Sequence, residues 1–147
     1  MGSTYASLHG HVVFSTKDRM PLITSGMQPR LHDYLGGTIR GLGAFPETVG
    51  GVDDHVHLLF GFRPSHCLSD LVREIKKGST TWAREHINPS FAWQEGYAVF
   101  SVSADDRDAI IRYIDTQEEH HRKVDYLDEL RKMLRDANVP FEEKYLI

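Results

Sequence analysis

Two histidines one residue apart, His55 and His57, sit in the hydrophobic stretch Asp53-Asp54-His55-Val56-His57-Leu58-Leu59-Phe60. In a β-strand, residues i and i+2 share a face, so both imidazoles can converge on one divalent ion while Val56, Leu58 and Phe60 enter the core. Downstream, a helical reading of Ile110-Ile111-Arg112-Tyr113-Ile114-Asp115-Thr116-Gln117 puts Tyr113 and Gln117 four residues apart on one face. A histidine pair for a metal, faced by a tyrosine and an amide, suits cleavage of a phosphodiester by a tyrosine hydroxyl. His120 and His121, at i+7 and i+8 from Tyr113, lie within about 80° of it on the helix. Spacing alone therefore leaves Gln117, His120 and His121 as alternatives for completing a metal site. A further pair, His9 and His11, falls on the corresponding face of a neighbouring strand. It is expected to support the ligands by hydrogen bonding or to contact DNA, with a ligand role or plain packing as the rival readings.

The elements that must position these residues follow from periodicity. Tyr5 to Ser15 alternates as a first strand, with Leu8, Val12 and Phe14 opposite Tyr5, His9, His11 and Ser15. Leu31, Tyr34, Leu35, Thr38, Ile39 and Leu42 recur at helical spacing, with Pro29 in the first turn and Gly43 at the end. Residues 44–51 and 54–62 read as two strands joined through Gly50-Gly51-Val52-Asp53. A second amphipathic helix spans Leu68 to Ile87, burying Leu68, Leu71, Val72, Ile75, Ser79, Trp82 and Ala83 and leaving Lys76 and Lys77 outside the stripe. Tyr97 to Val102 forms a fourth strand. Ser103 then opens a third helix with a Ser-x-x-Asp capping-box spacing to Asp106, and a charged helix runs from about Asp125 to Ala137.

The order βαββαβ, followed by two helices, is that of a ferredoxin-like α+β domain with an antiparallel sheet, here a single domain over residues 1–147. Right-handed crossovers put the first two helices on one face and strands one and three in the middle. His55 and His57 must then look out from the opposite face, where the third helix is free to lie.

Composition limits the functional classes. The chain has 147 residues, 40% hydrophobic and 26% charged, enough for one globular core. Its single cysteine, Cys67, rules out an internal disulfide framework and a cysteine-based zinc finger. No apolar run approaches a membrane span and the start lacks signal-peptide regions, so a cytoplasmic, membrane-free protein is expected. The net charge of −4 argues against a broad basic surface. Residues 64–88 carry four bases against three acids, so any DNA contact is expected locally, around Arg73, Lys76, Lys77 and Arg84.

An ordered set of segments resembles the single-tyrosine HUH transposases, which move the simplest bacterial insertion sequences as single-stranded DNA. It comprises Val13-Phe14-Ser15-Thr16-Lys17 with Arg19, Asp54-His55-Val56-His57-Leu58-Leu59, Ile75-Lys76 with Trp82, and Trp93-Gln94-Glu95-Gly96-Tyr97 with Phe100-Ser101-Val102-Ser103. It continues through Tyr113-Ile114-Asp115-Thr116-Gln117-Glu118-Glu119-His120-His121-Arg122 to Phe141-Glu142-Glu143-Lys144-Tyr145. The resemblance implies that His55 and His57 are metal ligands, Gln117 the third, and Tyr113 the nucleophile. A ligand set of two imidazoles and one amide oxygen fits a divalent ion, Mn²⁺ or Mg²⁺. The resemblance also implies a DNA hairpin as recognition element and a homodimer, often with the tyrosine helix of one subunit facing the partner's histidines. A chemically silent hairpin-binding protein derived from a transposase, and a metal-dependent nuclease using water, are the alternative expectations.

Overall fold

A computed structural model describes residues 2–146. Four strands, β1 (His9–Ser15), β2 (Phe45–Gly51), β3 (His55–Gly61) and β4 (Ala98–Ser101), form one antiparallel sheet in the order β2-β3-β1-β4. The inner pair is therefore β1 and β3, the ferredoxin-like arrangement expected from the element order. Helices α1 (Gln28–Gly41) and α2 (Leu68–His86) pack on one face. There Val12, Phe14, Val56, Leu58 and Phe60 of the inner strands meet Leu31, Leu35, Ile39, Leu71, Val72 and Ile75 in the main core.

The second face is covered by α3 (Arg107–Asp115), the single turn α4 (Gln117–His120) and α5 (Tyr126–Asp136). Leu59 joins Ile114 there, and Val13 joins Tyr126, Leu130 and Leu134. The period of two along each strand thus divides its side chains between two apolar layers. All seven residues of β3 are buried, because an inner strand covered on both faces has no wet side.

Several boundaries differ from expectation. β1 begins at His9 rather than Tyr5, because residues 3–8 have no strand partner beyond the single bond from Phe62 N to Leu8 O. β4 is confined to the four residues that pair with Gly10–Val13 of β1. The third helix opens at Arg107, not Ser103: Ser103 Oγ meets Asp106 Oδ2 at 3.2 Å, a side-chain contact that caps no backbone N–H. It also ends at Thr116, whose φ/ψ of −107°/23° separates α3 from α4, so Tyr113 and Gln117 belong to two helical pieces. The last helix starts with a true cap, Asp125 Oδ1 accepting from Asp128 N at 2.9 Å.

One glycine sets how closely α3 approaches. Gly50 of β2 pairs with His57, and a Cβ there would overlap the Ile114 carbonyl oxygen and lie 2.8 Å from Ile114 Cγ2. Only a residue without Cβ lets the backbone of α3 rest on β2. That seating carries Tyr113 and Gln117 over the histidines.

Candidate active site

His55 and His57 project from β3 into the layer under α3, α4 and α5, and neither is exposed to solvent. Opposite them, Glu129 of α5 is also buried, with 2% exposure. The carboxylate is the hub of the site. Its Oε1 lies 3.0 Å from His57 Nε2, 3.4 Å from His55 Nε2 and 3.1 Å from His121 Nε2. Its Oε2 accepts hydrogen bonds from the Tyr113 hydroxyl and, at 3.0 Å, from Gln117 Nε2, and lies 3.3 Å from His120 Nε2.

Each histidine is oriented by its other nitrogen. His55 Nδ1 meets Asp54 Oδ1 at 2.7 Å, while its Nε2 lies 3.2 Å from Gln117 Oε1. His57 Nδ1 lies 2.8 Å from His11 Nε2, and their rings stack with centroids 5.1 Å apart. A partner behind the ring fixes its rotation and tautomer, the usual arrangement behind a metal-binding imidazole. His9 lies elsewhere. It stands at the far end of β1, with its Nε2 3.9 Å from Glu47 Oε1.

Burial and charge compete in this cluster. Burial pushes the Glu129 carboxyl up, but hydrogen bonds from His121, His55 and His57 outweigh it and hold the group well below the usual carboxylate range. For His55, burial works against protonation, yet hydrogen bonds to Asp54 and Glu129 raise its pKa to about 9. Burial wins at His57, lowered to about 4, and at His11, lowered to about 3 with the neighbouring His57 adding to the effect. Burial and the hydrogen bond to Glu129 push the Tyr113 hydroxyl up, so it is a neutral donor in the free protein.

The donor chemistry fits a divalent metal. One ligand atom each from His55, His57, His121 and Glu129 lies within 4.8 Å of all the others, and Gln117 Oε1 adjoins the set through His55. Imidazole nitrogens mixed with carboxylate and amide oxygens suit Mn²⁺ and admit Mg²⁺. A cavity of about 570 Å³, bordered by His11, Phe100, Ile110, Tyr113 and Met133, reaches Tyr113 and Glu129 from outside. A larger groove of about 800 Å³, between β4 and residues 139–146, includes none of the histidines.

The fold thus brings together His11, His55, His57, Tyr113, Gln117, His120 and His121. It does so within one chain, with α3 lying over the histidines of its own subunit. The basic residues of α2 are placed on the other side of the sheet. Arg73 pairs with Asp70 at 2.9 Å, Lys77 is exposed, and Arg84 Nε donates to Phe91 O at 2.9 Å. Lys76 is turned inward, donating to the carbonyls of Gln94 and Gly96. Nothing in the motif spacing singles out Glu129. Its signal lies in α5, where Tyr126, Leu130, Met133 and Leu134 form an apolar stripe and Glu129, three residues after Tyr126, stands in the line of that stripe.

Comparisons with known proteins identify the family. The ISDra2 transposase TnpA of Deinococcus radiodurans is 26% identical over 117 residues, covering 75% of this chain and 84% of that protein. A crystal structure from Deinococcus radiodurans R1, assigned as a transposase, superposes with a TM-score of 0.64 at 27% identity, covering 80% of this chain and 96% of that one. A REP-associated tyrosine transposase bound to a REP hairpin shares the fold with a TM-score of 0.61 at 16% identity, over 84% of this chain and 74% of that one. Residues 4–117 match the family described as IS200-like transposases, a segment that includes both strand histidines, Tyr113 and Gln117, and the chain belongs to that family.

Proposed function

We propose that this protein cuts and rejoins single-stranded DNA at hairpin-marked ends through a covalent 5′-phosphotyrosine on Tyr113. His55, His57 and Gln117 would hold Mg²⁺ or Mn²⁺. The observation that carries this reading is that the Tyr113 hydroxyl and the metal-type donors meet on one buried carboxylate. A nucleophile and a donor set that share one group are positioned to act on one phosphate.

When bound, the ion supplies Lewis-acid polarisation of the phosphate and stabilises the departing 3′ oxygen. Tyr113 supplies the nucleophile. Its oxygen attacks phosphorus, the tyrosine proton passes to a base or water, the bond from phosphorus to the 3′ oxygen breaks with its electron pair going to that oxygen, and the 3′ oxygen takes up a proton from that base or from water to leave as a hydroxyl. The products are a 5′-phosphotyrosine and a free 3′-hydroxyl. A second DNA 3′-hydroxyl can reverse the step and join new ends without ATP, because the phosphodiester energy is kept in the covalent bond. Asp54 and His11 hold the two imidazoles in register from behind. The neighbour bound to a REP hairpin supports a hairpin substrate. Arg73, Lys77 and Arg84 on the outer side of α2 are candidates for phosphate contacts there, and Lys76 for holding the adjoining loop. Since each chain carries one nucleophile and moving an element requires two cut ends, a homodimer is the working unit of this reading.

The test is direct. Incubated with a single-stranded hairpin substrate and Mn²⁺, the native protein should give a denaturation-resistant protein–DNA adduct, and Tyr113→Phe should bind DNA yet give none. Cleavage by native protein without any adduct would make water the nucleophile. Failure to cut any hairpin from the DNA flanking its coding region would favour a silent binding protein.

A further inference from the structure

Glu129 is a buried carboxylate with an unusual set of neighbours. Buried acids are ordinarily matched by arginine or lysine, since an unpaired carboxylate loses its hydration with nothing in return. Among the described residues, the basic side chains beside the Glu129 carboxylate are histidines only: His55, His57, His120 and His121. Two of these already stand as metal ligands in the reading above. The distances within the cluster are also those of ligands sharing an ion. Two atoms each bonded at about 2.1 Å and subtending 90–109° lie roughly 3.0–3.4 Å apart. Glu129 Oε1 is 3.0 Å from His57 Nε2 and 3.4 Å from His55 Nε2.

Resting on the metal-dependent reading above, we infer that Glu129 is a protein ligand of the divalent cation and links it to the nucleophile. The two carboxylate oxygens divide the task. Oε1 faces His55, His57 and His121, whereas Oε2 accepts from the Tyr113 hydroxyl and from Gln117 Nε2. One rigid carboxylate thereby sets the distance between the cation and the tyrosine oxygen. A carboxylate also supplies negative charge, which two imidazoles and an amide lack, and so strengthens the site for a hard divalent ion. The ligand arrives from α5, whose neighbouring residues Tyr126, Leu130 and Leu134 are packed in the second apolar layer. Cation binding should accordingly tie residues 126–136 to β3 and stabilise the segment that closes the site.

The experiment uses the full chain without DNA. Titration calorimetry with Mn²⁺ should show binding by native protein, weakened at least tenfold by Glu129→Gln, which keeps the shape and removes the charge, and partly restored by Glu129→Asp. Mn²⁺ should raise the Tm of native protein and slow amide exchange in residues 126–136, with both effects reduced in Glu129→Gln. Native affinity in a folded Glu129→Gln would overturn the inference. If that variant does not fold, anomalous diffraction from native crystals grown with Mn²⁺ decides: an ion about 2.2 Å from a Glu129 oxygen supports it, and one about 3.5 Å or more away overturns it. If native protein binds no Mn²⁺ at all, the metal-dependent function itself fails, an outcome separate from the loss of Glu129 alone.

Discussion

Replacing Gly50 with alanine should damage catalysis from outside the site. The added Cβ would overlap the Ile114 carbonyl oxygen and lie 2.8 Å from Ile114 Cγ2, whereas ordinary van der Waals contact begins at 3.4 Å. Relieving the Cγ2 contact alone takes 0.6 Å, and the overlap with the carbonyl, which is backbone and cannot rotate away, demands that α3 itself retreat from β2. Overpacking of this kind costs about 1–3 kcal/mol of stability. Tyr113 is bonded to Ile114 and recedes with it, and a misplacement near 1 Å can cost roughly a hundredfold in rate. We therefore expect Gly50→Ala to remain folded, to melt a few degrees lower, and to form the protein–DNA adduct about 10- to 100-fold more slowly. Single-turnover adduct formation, run beside a thermal melt, measures both. DNA binding serves as the control, because the α2 surface proposed above to contact DNA lies with α1 and the main core on the other face. A variant with native adduct rate and native Tm would refute the reasoning, since α3 could not then be seated on Gly50.

Two further perturbations test the site's assembly and its charges. A single chain brings Tyr113 to its own His57, so mixing His57→Ala with Tyr113→Phe subunits should restore no adduct formation in verified heterodimers; recovery would show that α3 is exchanged between subunits. For metal-free protein, His57 and His11 are lowered from 6.5 to about 4 and about 3, so their contribution to stability is present above pH 6.5 and is lost as pH falls toward those values. His55 is raised from 6.5 to about 9, so its contribution is full below pH 6.5 and is lost as pH rises toward 9. The Tm should then peak near neutrality and fall on both sides between pH 4 and 9.5, and a steady rise or fall across that range would contradict the charge assignment.

What the sequence determined by itself was everything carried by short-range periodicity. Alternation along Asp54–Phe60 placed His55 and His57 on one face and Val56, Leu58 and Phe60 on the other, because strand geometry leaves no third choice. The element order led to a four-stranded antiparallel sheet with β1 and β3 innermost, since crossover handedness leaves few alternatives. Helical spacing put Tyr113, Gln117, His120 and His121 on one side of the chain, and all four reach Glu129 even though Thr116 breaks the helix between them.

The tertiary structure decided what depends on residues far apart in the chain. His9 and His11 look alike in the sequence, but only His11 stands beside His57, because the register pairs Val13 with His57 and leaves His9 opposite Gly61. Lys76 reads as a solvated helix residue until the segment after Trp93 folds back and offers it two carbonyls. Glu129 is 72 residues from His57 and belongs to a helix rich in ordinary surface charge. Only the packing of α5 against β1 turns that one carboxylate inward, and burial with four imidazoles is what separates it from the other acids of the chain.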